Sequence, residues 1–169
     1  MKLGSWGGAG VLAVTLGMTG CISPPGTADA NLLHRMDTVM RQAAPSMAVR
    51  VKLSADQVKT GDAILAEISS NMAGYVYLFQ MGTEGRTLSL VFPNAMDGAN
   101  YIAAGTSLKL PRQNWRMSAR GPSGVGQIMA VVTENPLDLM TLQTNTQQGK
   151  IEVGAKYGAA MVVLRETAP

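Results

Sequence analysis

The 169-residue sequence has very few of the side chains from which enzymes usually build active sites. It contains one cysteine, Cys21, and one histidine, His34. A single cysteine excludes an intrachain disulfide, and neither residue has a second histidine or cysteine with which to complete a zinc site. Acid–base catalysis also has little support when a histidine lacks partners. We therefore predict a protein that is not an enzyme and that needs no metal or cofactor.

Aromatic residues and net charge are scarce as well. Aromatic residues make up 5% of the chain, which disfavours a surface on which bases or sugars stack. The 14 basic and 11 acidic residues give a net charge of +3, too small to indicate nucleic-acid binding. Hydrophobic residues reach 46%, as in ordinary globular proteins, and the length fits one domain.

The N-terminal segment has the features of a signal peptide. Residues 3–20 carry no charge, and Lys2 supplies a short positive region before them. The apolar stretch around Val11–Met18 is too short to span a bilayer, which takes about 20 residues. We predict that residues 1–20 are a signal peptide that is removed.

The four residues Met18-Thr19-Gly20-Cys21 resemble the lipobox of bacterial lipoproteins, with Met18 where leucine is usual. The resemblance implies that the Cys21 thiol receives a diacylglyceryl group, that the chain is cut before Cys21, and that the new amino group is acylated with a fatty acid such as palmitate. Ile22 follows the cysteine instead of an aspartate, which favours the outer membrane in enteric-type sorting. We predict a lipid-anchored protein facing the periplasm.

Two other fates of the N-terminus stay open at this point. The tripeptide Ala28-Asp29-Ala30 fits the A-x-A site of ordinary signal peptidase, which would release a soluble protein beginning at Asn31. The distance from the apolar stretch, with Pro24-Pro25 in between, weighs against this cut. An uncleaved anchor is the third possibility.

The remainder divides into a connecting segment and a domain. Residues 22–30 are rich in proline, glycine and alanine and indicate a tether. Residues 31–44 have apolar positions near helical spacing, and Pro45 ends the predicted helix. We assign residues 21–46 to the tether and short helix and residues 47–169 to a β domain.

The domain shows short segments with the alternation typical of strands. In Met47–Leu53, for example, Val49 and Val51 alternate with Arg50 and Lys52. The other predicted strands are Ala63–Ser69, Tyr75–Met81, Arg86–Phe92, Thr106–Leu110, Trp115–Ala119, Gln127–Thr133 and Ala160–Arg165. Their spacing predicts a mainly β fold, a single antiparallel β-sandwich. Residues 141–158 are polar and cannot be assigned.

The order of several motifs resembles the family known as domain of unknown function 4384. The motifs are Gly74-Tyr75-Val76-Tyr77-Leu78, Phe92-Pro93-Asn94, Gly105 to Leu110-Pro111, Gly121-Pro122-Ser123-Gly124 before Ile128–Val132, and Asn135-Pro136-Leu137-Asp138. The match covers roughly residues 47–140. It implies an Ig-like β-sandwich without an assigned reaction, found as an exported lipoprotein or attached to kinase-like or caspase-like domains, and hence a binding or scaffolding role.

The glycine-rich segment Gly121–Gly126 has the spacing of the two glycines in a phosphate-binding P-loop. A working P-loop continues with lysine and then serine or threonine, where this chain has Gln127 and Ile128. The next residues predict a strand, so no helix N-terminus would face a phosphate. We predict a turn in which glycines adopt positive φ, and no nucleotide partner.

Three arginines are the candidate contact residues, namely Arg112, Arg116 and Arg120. On a strand from Trp115 to Arg120, Arg116 and Arg120 would share one face while Trp115, Met117 and Ala119 take the other. The arginines could contact lipid phosphates or an acidic partner, at about 1 kcal/mol each near an anionic surface. The alternative is an ordinary solvated face.

The function predicted from the sequence is that of a non-enzymatic lipoprotein of the cell envelope. Its partners would be the membrane, through the lipid, and another envelope protein, for instance in a secretion or surface assembly. An envelope enzyme such as a peptidoglycan hydrolase is one alternative, but the missing catalytic groups weigh against it. A small-ligand carrier is another, which would need a deep apolar pocket.

Overall fold

The computed structural model describes residues 29–112 and 114–169. The predicted signal peptide, Cys21 and most of the predicted tether lie outside these residues. The helices are α1 (Ala30–Gln42) and α2 (Leu139–Gln147). The strands are β1 (Val49–Leu53), β2 (Gln57–Lys59), β3 (Ala66–Ser70), β4 (Gly74–Met81), β5 (Leu88–Phe92), β6 (Tyr101–Ile102), β7 (Ser107–Leu110), β8 (Gly124–Thr133) and β9 (Tyr157–Thr167).

The strands form a small and a large sheet. The small sheet has the order β1-β3-β7, and both of its pairs are antiparallel. The large sheet has the order β2-β9-β8-β4-β5, with β6 beside β4. Its pairs are antiparallel except for β2 and β9, which run parallel. The prediction of a mainly β, antiparallel fold is confirmed, with this parallel pair as the difference.

The two sheets pack face to face around the first core cluster. Strands β4 and β8 contribute the alternate residues Val76, Leu78, Ile128, Ala130 and Val132 to this cluster. The small sheet contributes Ala66 and Ile68 and packs Val49 and Val51 against them. Because side chains alternate along a strand, Arg50 and Lys52 point away from this core. The predicted division of residues between the two faces of β1 is therefore confirmed.

The other face of the large sheet is covered by the two helices. The second core cluster joins β4 and β8 to α1 and α2 through Tyr77, Phe79, Met81, Met129, Val131, Leu32, Met36, Val39 and Leu142. The two central strands are thus buried on both faces, which explains why their sequences are nearly continuous apolar runs. The molecule consists of three layers: the helices, the large sheet and the small sheet.

Helix α1 forms because its apolar residues recur on one face. Leu32, Met36 and Val39 are four and three residues apart and are all buried. Its C-terminal part is held by Tyr157 of β9, whose hydroxyl donates to the carbonyl oxygen of Val39 at 2.8 Å. Burial raises the pKa of Tyr157. The division of the chain at residue 47 stays a prediction, but the structure packs α1 directly onto the large sheet.

Helix α2 lies in the segment that the sequence left unassigned. Its N-terminus is capped by Asp138, whose side chain accepts a hydrogen bond from the Thr141 N–H at 2.8 Å. Only Leu142 and Thr146 are buried in it, so its sequence lacks a strong apolar periodicity.

The predicted strand Trp115–Ala119 is wrong, because this segment makes only an isolated bridge between Ser118 and Ala63. Its backbone bonds to the residues before β3, for instance through the Ile64 N–H and the Met117 carbonyl oxygen at 2.8 Å. These bonds lie on one side of the segment and do not extend into a ladder. Strands β2 and β6 were not predicted, since with three and two residues they are too short to show alternation.

Candidate functional site

In the structure, the Arg112 side chain forms contacts within the fold. Its Nε donates to Asp97 Oδ2 at 2.7 Å, a second nitrogen pairs with Asp97 Oδ1, and the same nitrogen donates to the carbonyl oxygen of Ala99 at 2.7 Å. Its guanidinium carbon lies 5.5 Å from the centre of the Phe92 ring. The Arg112 side chain therefore holds the loop that contains Asp97, and a contact of Arg112 with lipid phosphates or an acidic partner stays a prediction.

Asp97 is the centre of this arrangement. It is buried, and besides Arg112 it accepts a hydrogen bond from Trp115 Nε1 at 3.0 Å. The hydrogen bond from Arg112 is the main cause that holds the pKa of Asp97 below its usual value. The Trp115 ring lies nearly parallel to the Phe92 ring, with centres 6.3 Å apart. These contacts close the core between the two sheets at the edge that β5 forms.

Arg116 and Arg120 are exposed, whereas Trp115, Met117 and Ala119 are buried. The predicted alternation is therefore present although the strand is not. Arg120 lines an open polar cleft of about 280 Å³, together with Gln80, Glu84, Thr87, Ser89 and Glu166. Glu166 is 4% exposed, and its Oε2 accepts the Gly121 N–H at 2.8 Å. That bond gives Glu166 a structural role, because it fixes the turn at Gly121. A contact of Arg116 or Arg120 with a partner stays a prediction.

The glycine-rich segment is a turn that leads into β8, as predicted, but the detail differs. Positive φ occurs at Gly121, at 66°, and not at Gly124, which already begins the strand. A Cβ on Gly126 would lie 2.7 Å from the carbonyl oxygen of Met81, so this glycine permits a close approach of β8 to the end of β4. The absence of nucleotide binding stays a prediction.

The outer face of the small sheet gathers basic side chains. We call this surface the basic face; it consists of Arg50, Lys52, Glu67, Ser69, Ser107 and Lys109. The register places Glu67 between Lys52 and Lys109 in one row across the three strands. The three cations are exposed, and among the described residues none of them forms an ion pair. Glu67 accepts a hydrogen bond from the Ser107 hydroxyl at 2.7 Å.

A cleft of about 430 Å³ lies at one end of the basic face. Lys52, Glu67 and Lys109 line it, and Leu65 and Pro111 supply apolar surface. Leu65 is 49% exposed, so its side chain is accessible from the cleft. The cleft therefore offers ammonium groups and apolar surface to the same occupant.

The sequence indicated the outward direction of Arg50 and Lys52 but not the complete face. Assembling it requires the pairing of β3 with both β1 and β7. Between β3 and β7 lie 36 residues, which include three strands of the large sheet. The alternation of Ser107-Leu108-Lys109-Leu110 was the available signal that Lys109 points outward. It could not show that Lys109 lies opposite Glu67.

Neither a membrane span nor a metal cluster occurs within residues 29–112 and 114–169. No helix there is long and apolar enough to cross a bilayer. Side chains of histidine, cysteine, aspartate and glutamate also form no group of three or more that could hold a metal ion in this part.

Comparisons with known proteins bear on the family. Residues 57–136 match the family described as Domain of unknown function (DUF4384), which confirms the predicted domain. A comparison with curated proteins gives no match. Among solved structures, the chain is similar to the crystal structure of Spo0M, sporulation control protein, from Bacillus subtilis, with 12% identity and a TM-score of 0.41. The similarity covers 75% of this chain and 51% of that one, so the chain spans about half of that structure.

Proposed function

We propose, on the premise that residues 57–136 form a domain of the family Domain of unknown function (DUF4384), that this chain is a lipid-anchored binding protein of the bacterial envelope. In this proposal Cys21 carries the lipid, the outer membrane holds the protein on its periplasmic side, and the domain binds another envelope protein without catalysing a reaction. The lipid chains supply membrane affinity through burial of their methylene groups.

The observation that carries the proposal is the role of Asp29 in the fold. Its N–H donates to the carbonyl oxygen of Gly85 at 2.9 Å, and its side chain accepts the Asn31 N–H at 2.9 Å. A cut between Ala30 and Asn31 would remove this capping residue and its bond to the β4–β5 hairpin. The contacts of Asp29 therefore favour a cut farther upstream, and the lipobox at Cys21 supplies one.

The layer order supports a binding role. Asp29 begins the helical layer, on one side of the large sheet, and the basic face lies on the opposite side of the molecule. Seven residues, and therefore eight residue-to-residue steps, separate Cys21 from Asp29, so the connection reaches at most about 29 Å. The lipid would hold the helical side near the membrane and leave the basic face accessible.

The test is the substitution Cys21→Ser in the full chain, compared with Ser23→Ala as the matched control. We expect the control to incorporate palmitate and to remain in the membrane fraction, and Cys21→Ser to lose the label and to be released or left uncut. Intact mass of the wild-type protein should show an acylated N-terminal cysteine. An unmodified N-terminus at Asn31 would overturn the proposal.

The non-enzymatic part of the proposal has its own test. Purified protein is incubated with peptidoglycan sacculi, and the supernatant is analysed for soluble fragments. We expect no release above a buffer control. Release that depends on Glu84 or Glu166, the two carboxylates of the polar cleft, would instead identify an envelope hydrolase.

A further inference from the structure

We propose that the basic face binds an extended acidic segment of a protein partner, in the cleft beside Lys52 and Lys109. This inference rests on the proposed binding function and names the chemistry of the partner. An acidic segment is recognised by unpaired cations next to apolar surface, and both are present at this place.

The charge distribution points to an anionic occupant. The basic face holds three basic residues and one acidic residue, and the whole chain has a net charge of +3. The basic face alone thus carries a net charge of +2. The Ser107 hydroxyl donates to one oxygen of Glu67, and neither Lys52 nor Lys109 forms an ion pair among the described residues, so both ammonium groups remain available for an external anion.

The geometry of the sheet fits alternating side chains. Lys52 and Lys109 are two strands apart, which corresponds to about 10 Å between their backbones. Alternate residues of an extended peptide point to the same side at intervals of about 7 Å. The flexible stems of the two lysines can bridge that difference.

The cleft also explains why the occupant should contain apolar residues. Continuing the register by one step beyond Leu53, Ala66 and Leu110 places Ser54, Leu65 and Pro111 in the next row on the same face as the basic row. An extended segment that crosses the strands between these rows would direct acidic side chains to the lysines and the intervening side chains to Leu65 and Pro111. A flat lipid surface would fill such a cleft less well, and the predicted lipid anchor approaches the molecule from the opposite side.

The experiment uses the full-length lipoprotein extracted in detergent. The probe is the fluorescent peptide acetyl-Glu-Leu-Glu-Ser-Glu-Leu-Glu-amide, and binding is followed by anisotropy at low and moderate salt. We expect saturable binding that weakens with salt, and at least tenfold weaker binding by the double variant Lys52→Glu with Lys109→Glu. The matched control, Lys59→Glu with Lys150→Glu, makes the same charge change at exposed lysines elsewhere and should stay within twofold of wild type.

A gain of affinity gives a second test that does not depend on damaging the protein. Glu67→Gln removes the only carboxylate of the basic face and retains an oxygen for the Ser107 hydroxyl. We expect this variant to bind the peptide about threefold more tightly, because repulsion of the acidic probe is removed. A peptide with glutamine in place of each glutamate should not bind.

The remaining outcomes overturn the inference in different ways. If the acidic peptide fails to bind a protein that carries palmitate at Cys21, the inference is wrong while the proposed anchoring survives. If vesicles with 30% phosphatidylglycerol bind through Lys52 and Lys109 and the peptide does not, the basic face is a lipid-contact surface. If the control variant weakens binding as much as the cleft variant, the attraction is only that of overall charge.

Discussion

The large and the small sheet of this molecule differ in how many of their faces are buried. Strands β4 and β8 of the large sheet pack against the small sheet on one side and against the helices on the other. Strand β1 of the small sheet partly buries Val49, Val51 and Leu53 and exposes the residues between them. The large sheet therefore supplies most of the residues that are buried on both faces, whereas the outer face of the small sheet is exposed.

Among the changes considered, removal of α1 should lower the free energy of unfolding most. A fragment that begins at residue 46 lacks Leu32, Met36 and Val39 and uncovers one face of the large sheet. Because each buried Leu or Met side chain contributes about 2–5 kcal/mol, we expect a loss on the order of 5 kcal/mol or more. Urea denaturation and binding of a hydrophobic dye measure it. If the fragment unfolded cooperatively at the same urea concentration as the longer chain, the domain would indeed begin near residue 47.

A pair of truncations compares the two sheets directly. Phe79 is fully buried beneath the helices, whereas Leu53 at the end of β1 is only partly buried. We expect Phe79→Ala to lower the free energy of unfolding by about 3–5 kcal/mol and Leu53→Ala by about 1–2 kcal/mol. Equal losses in chemical denaturation would mean that the small sheet contributes as much stability as the large one.

The ion pair of Asp97 and Arg112 should make stability depend on pH. The pKa of Asp97 is lowered in the folded protein, chiefly by the hydrogen bond from Arg112. Its contribution is therefore complete above the usual pKa of 3.8 and is lost as pH falls through the lower folded value. We expect Asp97→Asn to cost about 1–3 kcal/mol near neutral pH and to flatten the decline of melting temperature in acid. If Asp97→Asn left the decline of melting temperature in acid unchanged, Asp97 would not be the group that causes it.

A substitution at the edge of the large sheet should have the smallest effect on stability. The side-chain amide of Gln143 in α2 accepts the Leu90 N–H at 2.7 Å and donates to the Leu88 carbonyl oxygen at 2.8 Å. It thus takes the place of a neighbouring strand along β5 and protects this edge. We expect Gln143→Ala to cost about 1 kcal/mol and to promote self-association, detectable by light scattering. Thr144→Ala, on the exposed side of α2, is the control and should leave both properties unchanged.

The sequence predicted the strands of the small sheet and its alternation better than the layers of the molecule. Alternation is a local property, so the outward direction of Arg50 and Lys52 follows from β1 alone. The continuous apolar runs of β4 and β8 indicated strong strands, but they could not show that helices cover the second face. Helix α2 was missed because its sequence, Leu139–Gln147, buries only two residues and is stabilised by capping and by side chains that bond to β5.

Local sequence patterns also could not predict which residues come together at the candidate site. Arg112, Arg116 and Arg120 are regularly spaced in the sequence, but Arg112 is drawn into the fold by Asp97, a contact across 15 residues. The row of Lys52, Glu67 and Lys109 joins residues from three strands that are distant in the chain. Such a face depends on the register between strands, which local patterns do not determine.

Native-state hydrogen exchange tests most directly the claim that the large sheet is the stable core and the small sheet the adaptable surface. We expect the amides of β4 and β8 to exchange only through global unfolding, so that their free energies equal that of chemical denaturation. The amides of β1 and β7 should exchange through local opening at clearly lower free energies. Protection of β1 and β7 equal to that of β4 and β8 would contradict the account.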